Sequence, residues 1–234
     1  MTTMNRSERA GRSILDKIAD GSLRIGEELP SEAELAAELE MSRLTIREAI
    51  KTLAARGVVI VRHGRRNRLA PVENWDLLNV ELMELRGRMR DEGRDLMEQL
   101  TEARQVIEIG AAALAAKRIS STQLDEMRVC LRRMAEAEVD VPDIEAAVEA
   151  DIAFHRVIID AAANEYLAAT YRPMEEVLRA VRQQTSATAR VRAEARTWHA
   201  QILERLDQGD VQGSREAMRG HMEQTMRAVK EERA

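Results

Sequence analysis

Residues 29–64 read LPSEAELAAELEMSRLTIREAIKTLAARGVVIVRHG, and the reading of the whole chain starts there. Pro30 precedes Ser31, and Glu34 follows three residues later. Ser-x-x-Glu is a capping box: the serine oxygen accepts from the N3 amide while the glutamate reaches back to the cap amide. A short helix is expected, with Leu35 and Leu39 on one face. Met41-Ser42 breaks that pattern, and Ser42 is placed to cap a second helix. This second helix turns Ile46, Ile50 and Leu53 inward and Arg43, Thr45 and Arg47 outward at its N-terminal end. Gly57 ends it at the position where a left-handed backbone favours glycine. Val58 to Val61 is a β-branched run suited to a strand, His63-Gly64 is a turn, and Arg65 to Leu69 returns.

From Arg43 to Arg68 the chain carries eight Lys or Arg residues and a single acid, Glu48. Two helices followed by a basic hairpin have the form of a winged helix-turn-helix, whose partner is double-stranded DNA. The N-terminal residues of the second helix in such a motif reach base edges in the major groove. Arginine can give two donors to guanine O6 and N7, and threonine can bond a base or a phosphate.

At these residues the chain resembles the GntR family of bacterial transcription regulators. The resemblance rests on Leu29-Pro30-Ser31-Glu32, Glu34-Leu35-Ala36, Ser42-Arg43-x-Thr45-Ile46-Arg47-Glu48-Ala49, Leu53, Gly57 and His63-Gly64. It implies that Ser42, Arg43, Thr45 and Arg47, with His63, Gly64 and Arg65 of the wing, bind DNA, Gly64 entering the minor groove. The chain departs from the family in two places. Ala33 stands where the family usually has arginine, and Arg65-Arg66-Asn67 replaces a second wing glycine.

Length and charge suit two domains: a head over 1–70, a linker over 71–74 and a body over 75–234. The head holds 13 basic and 10 acidic residues, and residues 71–234 hold 23 and 31, so a basic head is followed by an acidic body. Phosphate binding needs Lys and Arg, so the body is not a general nucleic-acid surface. Aromatics are 2% of the chain, which favours helices packed by aliphatic side chains. A single cysteine, Cys130, excludes an intramolecular disulfide and fits a reducing cytosol. No apolar run approaches membrane-spanning length, and a cytoplasmic protein without a membrane partner is expected. Beyond Pro71 the chain reads as about seven helices with short connections, the sign of an antiparallel bundle. The fold class expected is mostly α, a winged helix-turn-helix followed by this bundle.

Three of the four histidines, His155, His199 and His221, fall in the body, on three different expected helices. Asp151 precedes His155 by four residues, so carboxylate and imidazole share a helical face. Three imidazoles and a carboxylate suit a borderline divalent metal such as Zn²⁺ or Ni²⁺. Spacing alone leaves that reading open, because convergence between helices is not visible in sequence.

The body resembles the FCD ligand-binding domain of the FadR-like subgroup of the same family. The carrying residues are Trp75-x-Leu77-Leu78, Arg104-x3-Glu108, Asp151-x2-Phe154-His155, Asn164, His199-x2-Ile202, Gly209-Asp210, Ala217 and His221. The resemblance implies a metal held by Asp151, His155, His199 and His221, zinc first, nickel or another transition metal as alternatives. It also places Arg104 toward the pocket, where its two-pronged guanidinium would take the carboxylate of an organic or sugar acid. An ion pair to Glu108 is the other reading of Arg104. The function expected is a ligand-responsive DNA-binding regulator, a homodimer on a pseudo-palindromic operator, and not an enzyme. The alternatives are a metal-free regulator whose bundle mainly dimerises, and a metal-dependent hydrolase with Glu149 or Glu108 as base.

Overall fold

The computed structural model describes residues 4–62, 64–90, 93–186 and 188–231. It divides into two compact units, residues 1–93 and 94–234.

The first unit contains α1 (Arg6–Ala19), α2 (Glu32–Glu38), α3 (Arg43–Ala55), β1 (Val59–Ile60), β2 (Arg68–Leu69) and α4 (Val80–Arg90). The capping box expected at Ser31 is present: Ser31 N donates to Glu34 Oε2 at 2.7 Å and Glu34 N to Ser31 Oγ at 3.2 Å. Ser42 Oγ caps α3 by accepting from Thr45 N at 3.1 Å. Gly57 follows α3 with φ +76°, and a β-carbon there would lie 2.0 Å from the Asn74 carbonyl oxygen. Glycine therefore serves both the helix exit and the close passage of residues 74–75. The wing strands pair antiparallel, Val59 with Leu69 and Ile60 with Arg68. Ile14, Leu35, Ile46, Leu53, Val58 and Leu69 form the core.

Two sequence readings are revised here. Helix α1 was not assigned from sequence, yet its Ala10, Ile14, Leu15 and Ile18 fill the core beneath α3. The segment 71–74 was read as a short linker. It forms a 3-10 turn, Val72–Asn74, and Val72, Trp75, Leu82 and Leu85 are buried in this same core. The next helix begins at Val80, where Asn79 caps it, and Leu78 is left at the surface.

The second unit is α5 (Gly93–Ala115), α6 (Ser121–Glu136), α7 (Ile144–Ala161), α8 (Glu165–Tyr171), α9 (Glu175–Thr185), α10 (Ala189–Asp207) and α11 (Val211–Glu231). Ser120 and Gln123 make a capping box for α6, and Asp143 and Asn164 cap α7 and α8. Pro173 lies in a 3-10 turn that separates α8 from α9. Gly209, at φ +67°, ends α10, and Asp210 accepts from Gly213 N at 2.9 Å to open α11. Phe154, Ile158, Met127, Ile202, Met218 and Met222 fill the bundle core, and Cys130 is a buried member of it. Among the described residues no helix is long and apolar enough to cross a membrane.

Candidate metal centre and nucleic-acid interface

Helix α7 is buried along the face that carries Asp151 and His155, since Val148, Ile152, Phe154, Ile158 and Ile159 all pack inward around them. Helices α10 and α11 bring His199 and His221 to the same point. Gly220 enables their approach: a β-carbon on it would lie 2.3 Å from the Trp198 ring, one residue from each histidine. His155, His199 and His221 are 1%, 0% and 2% exposed, so solvent hydrates none of them. The rings meet through Nε2, each 3.2 Å from the other two. Asp151 Oδ1 lies 3.3 Å from His199 Nε2 and 3.9 Å from His155 Nε2. The four ligand atoms all fall within 4.8 Å of one another.

This arrangement fits a metal ion better than it fits itself. A near-linear hydrogen bond joins two atoms, and three Nε2 atoms at the corners of a triangle cannot all be satisfied by N–H donors from one another. A tetrahedral ion with bonds of about 2.0–2.1 Å separates its ligands by about 3.3 Å, close to the observed edges. Burial holds His199 and His221 well below the ordinary imidazole range, reinforced by His155, Arg182 and Arg104 nearby. Both are neutral at pH 7, the form a metal requires.

A second layer of side chains surrounds this cluster. Glu108 on α5 places Oε2 2.5 Å from His155 Nδ1. Its Oε1 accepts from Arg104 Nε at 2.7 Å and from the Tyr171 hydroxyl at 3.1 Å. Burial would push the Glu108 carboxyl up, but Arg104 and His155 outweigh it and hold the group well below the usual carboxylate range. A carboxylate on the distal nitrogen fixes the tautomer that leaves Nε2 free to ligate. Arg104 makes the ion pair with Glu108 and keeps its Nη2 buried without a hydrogen-bond partner. Arg182 on α9 is buried and lies against Asp151. Two cavities of about 30 Å³ flank the cluster, one beside Asp151 and His199, the other beside Asp151, Arg182 and His221.

Tyr171 and Arg182 were not found from sequence, since neither sits at a telling spacing from the histidines. Glu108 was read as a candidate base or as the ion-pair partner of Arg104; the structure also sets it beside His155. Glu149 does not belong to this cluster. It pairs with Arg179 on the exposed side of α7.

In the head, Arg43 and Arg47 are exposed on the first turns of α3, and Thr45 is half-buried with its hydroxyl 2.8 Å from Ser42 Oγ. Arg47 pairs with Glu32 through Nε, at 3.0 Å, and Nη2, at 2.8 Å. Gly64, at φ +69°, and Arg65 are exposed at the wing tip. His63 lies outside the described residues. Arg62 and Arg66 pair with Glu28 and Glu34.

Comparison with known proteins agrees with both halves. Residues 6–68 match the family of bacterial regulatory proteins, gntR family, and residues 99–224 match the FCD domain. The HTH-type transcriptional regulator LutR of Bacillus subtilis (strain 168) is 34% identical over 150 residues, 64% of this chain and 65% of its own length. The galactonate operon transcriptional repressor of Escherichia coli (strain K12) is 28% identical over 183 residues, 78% of each. Among solved structures, Lar, which controls expression of the Listeria monocytogenes agr system, aligns with a TM-score of 0.69 at 20% identity, covering 99% of both chains. That likeness speaks to the fold. The chain belongs to the GntR family of bacterial transcription regulators, with an N-terminal helix-turn-helix domain and a C-terminal FCD domain.

Proposed function

We propose that this regulator is a cytoplasmic homodimer that binds a pseudo-palindromic operator and is controlled by an acid bound at a metal-containing pocket in its helical unit. Asp151, His155, His199 and His221 would hold the ion, Zn²⁺ first and Ni²⁺ or another transition metal next. The observation that supports this reading is the triangle of buried Nε2 atoms 3.2 Å apart, an arrangement that a shared cation would satisfy. A bound divalent ion would supply open coordination positions to a carboxylate or hydroxyl oxygen.

Charge favours an anionic effector. The buried groups Arg104 and Arg182 balance Glu108 and Asp151, so a divalent ion adds two uncompensated positive charges. Uncompensated buried charge is strongly unfavourable, and a carboxylate would offset it. Arg104 Nη2, buried without a hydrogen-bond partner, would be a donor for that carboxylate. The galactonate operon repressor supports a sugar or other organic acid as the class. The flanking cavities hold about one water each and no sugar acid, so an effector would have to displace helices to enter. Such displacement is how it would bias the two DNA-binding arrangements, through a difference in its affinity for them.

Elemental analysis of purified protein tests the metal. About one ion per chain is expected, lost in His199→Ala. Operator binding across a panel of 2-hydroxy and sugar acids tests the effector; a metal-free wild-type protein, or indifference to every acid, refutes the corresponding half.

A further inference from the structure

Among the described residues, five arginines of α3 and the wing differ in whether an acid meets them. Arg43 and Arg65 make no ion pair. Arg47, Arg66 and Arg62 are each met by an acid, Glu32, Glu34 and Glu28 respectively. The Arg47 pair has the most demanding geometry. Glu32 takes Nε and Nη2 from the side, with Nε 3.2 Å from Oε1 and 3.0 Å from Oε2, and Nη2 2.8 Å from Oε2. Among the described residues Glu32 is met by Nε and Nη2 and not by Nη1, and the Arg47 side chain is 56% exposed against 29% for Glu32. The end-on edge of the guanidinium, Nη1 with the second Nη2 hydrogen, is thus left outside the pair in the first turns of α3.

An exposed ion pair of this kind contributes little to folding stability. A carboxylate on a DNA-facing surface also repels phosphate and so weakens binding to any sequence. Both observations argue that Glu32 acts on recognition. Its own position is fixed, because it is the first residue of α2, directly after the Ser31 cap. A free arginine has many rotamers and must lose that freedom to place two donors on guanine O6 and N7. An arginine already held along one edge has lost it in advance.

We propose that Glu32 is a positioning and specificity residue for DNA recognition: it grips the side edge of Arg47 and presents the end edge as a rigid fork to a guanine. Arg65, which no acid holds, binds phosphate without regard to sequence. This rests on the reading of Arg47 as a base contact, and the experiment separates the two ideas.

The full-length protein first selects its preferred duplex from a randomised library. Affinity of wild type, Arg47→Ala, Glu32→Gln, Glu32→Ala and Arg65→Ala is then measured on that duplex and on a scrambled one. Arg47→Ala is expected to lose preference at one base pair of each half-site. Both Glu32 variants lose preference at the same base pair by about tenfold, the scale of a two-bond guanine contact. Their affinity for the scrambled duplex stays equal or rises as a negative charge leaves. Arg65→Ala weakens binding to both duplexes alike and flattens the salt dependence. Glu32 variants that bind the selected duplex as tightly as wild type, or more tightly, overturn the proposal and make Glu32 a bystander or a competitor. An Arg47→Ala protein that keeps its base preference overturns the base contact itself, and the positioning role with it. Arg47 and Arg65 are exposed and the Glu32–Arg47 pair lies at the surface, so an unchanged thermal midpoint accompanies the expected result.

Discussion

Replacing Glu108 by glutamine tests the metal reading without touching a ligand. Glu108 Oε2 lies 2.5 Å from His155 Nδ1, while Oε1 accepts from Arg104 and Tyr171. Glutamine has one oxygen for these two tasks. If the oxygen stays with Arg104 and Tyr171, the amide NH₂ faces His155 Nδ1 and drives the proton to Nε2, where it blocks ligation. If the amide flips, its NH₂ meets the Arg104 guanidinium, donor against donor. Losses of 10–100-fold in metal affinity are typical for such a partner, about 1.4–2.7 kcal/mol. Competition with a chromogenic zinc chelator measures this directly. Tyr171→Phe is the control: it removes one hydrogen bond to Glu108, costs about 1 kcal/mol of stability and leaves the His155 contact in place. A folded Glu108→Gln protein that holds zinc within threefold of wild type refutes the tautomer argument. Equal losses in both variants would mean that the effect is general loosening of the bundle.

Three more outcomes follow from the same geometry. His199 and His221 have folded pKa values depressed below the unfolded value, so below about pH 6.5 the unfolded chain binds more protons than the folded one. The metal-stripped protein should therefore hold full stability above that pH and lose it as pH falls, read as a declining thermal midpoint; a flat profile from pH 7 to 5 contradicts it. Gly220→Ala puts a methyl against the Trp198 ring, separates α10 from α11 at the histidines, and should cost about 1–3 kcal/mol with a parallel loss of metal affinity in the chelator assay. Gly57→Ala meets both a left-handed backbone and the Asn74 carbonyl, so denaturant unfolding should show at least about 2 kcal/mol lost from the head while metal content stays unchanged.

Much of the head was legible because its signals are local. A capping serine, a glutamate three residues on and a glycine at the helix exit each act within one turn of chain, and the structure shows Ser31, Glu34 and Gly57 in those roles. Helix α1 was missed because no motif marked it. It earns its place by burying Ile14 and Ile18 against α3, a contact between residues some thirty positions apart. Trp75, Leu82 and Leu85 were read as the start of the body for a related reason. Helical spacing says that a face is apolar, not which core will cover it.

The candidate site divides the same way. Asp151 and His155 are four residues apart on one helix, so sequence alone places them on one face. Whether His199 and His221 join them depends on how three helices cross, and the close approach at Gly220 and Trp198 decides that. Glu108 shows the limit most plainly. Its spacing from Arg104 announces an ion pair along α5, and that pair forms. Its second contact, to His155 across 47 positions of chain, exists only once the helices pack. The sequence by itself determined the elements, the family and which residue types were available for chemistry, because those follow from neighbours along the chain. The tertiary structure alone decided which of them share one largely buried space, and there the loss of hydration turns three imidazoles, two carboxylates and two arginines into one interdependent site.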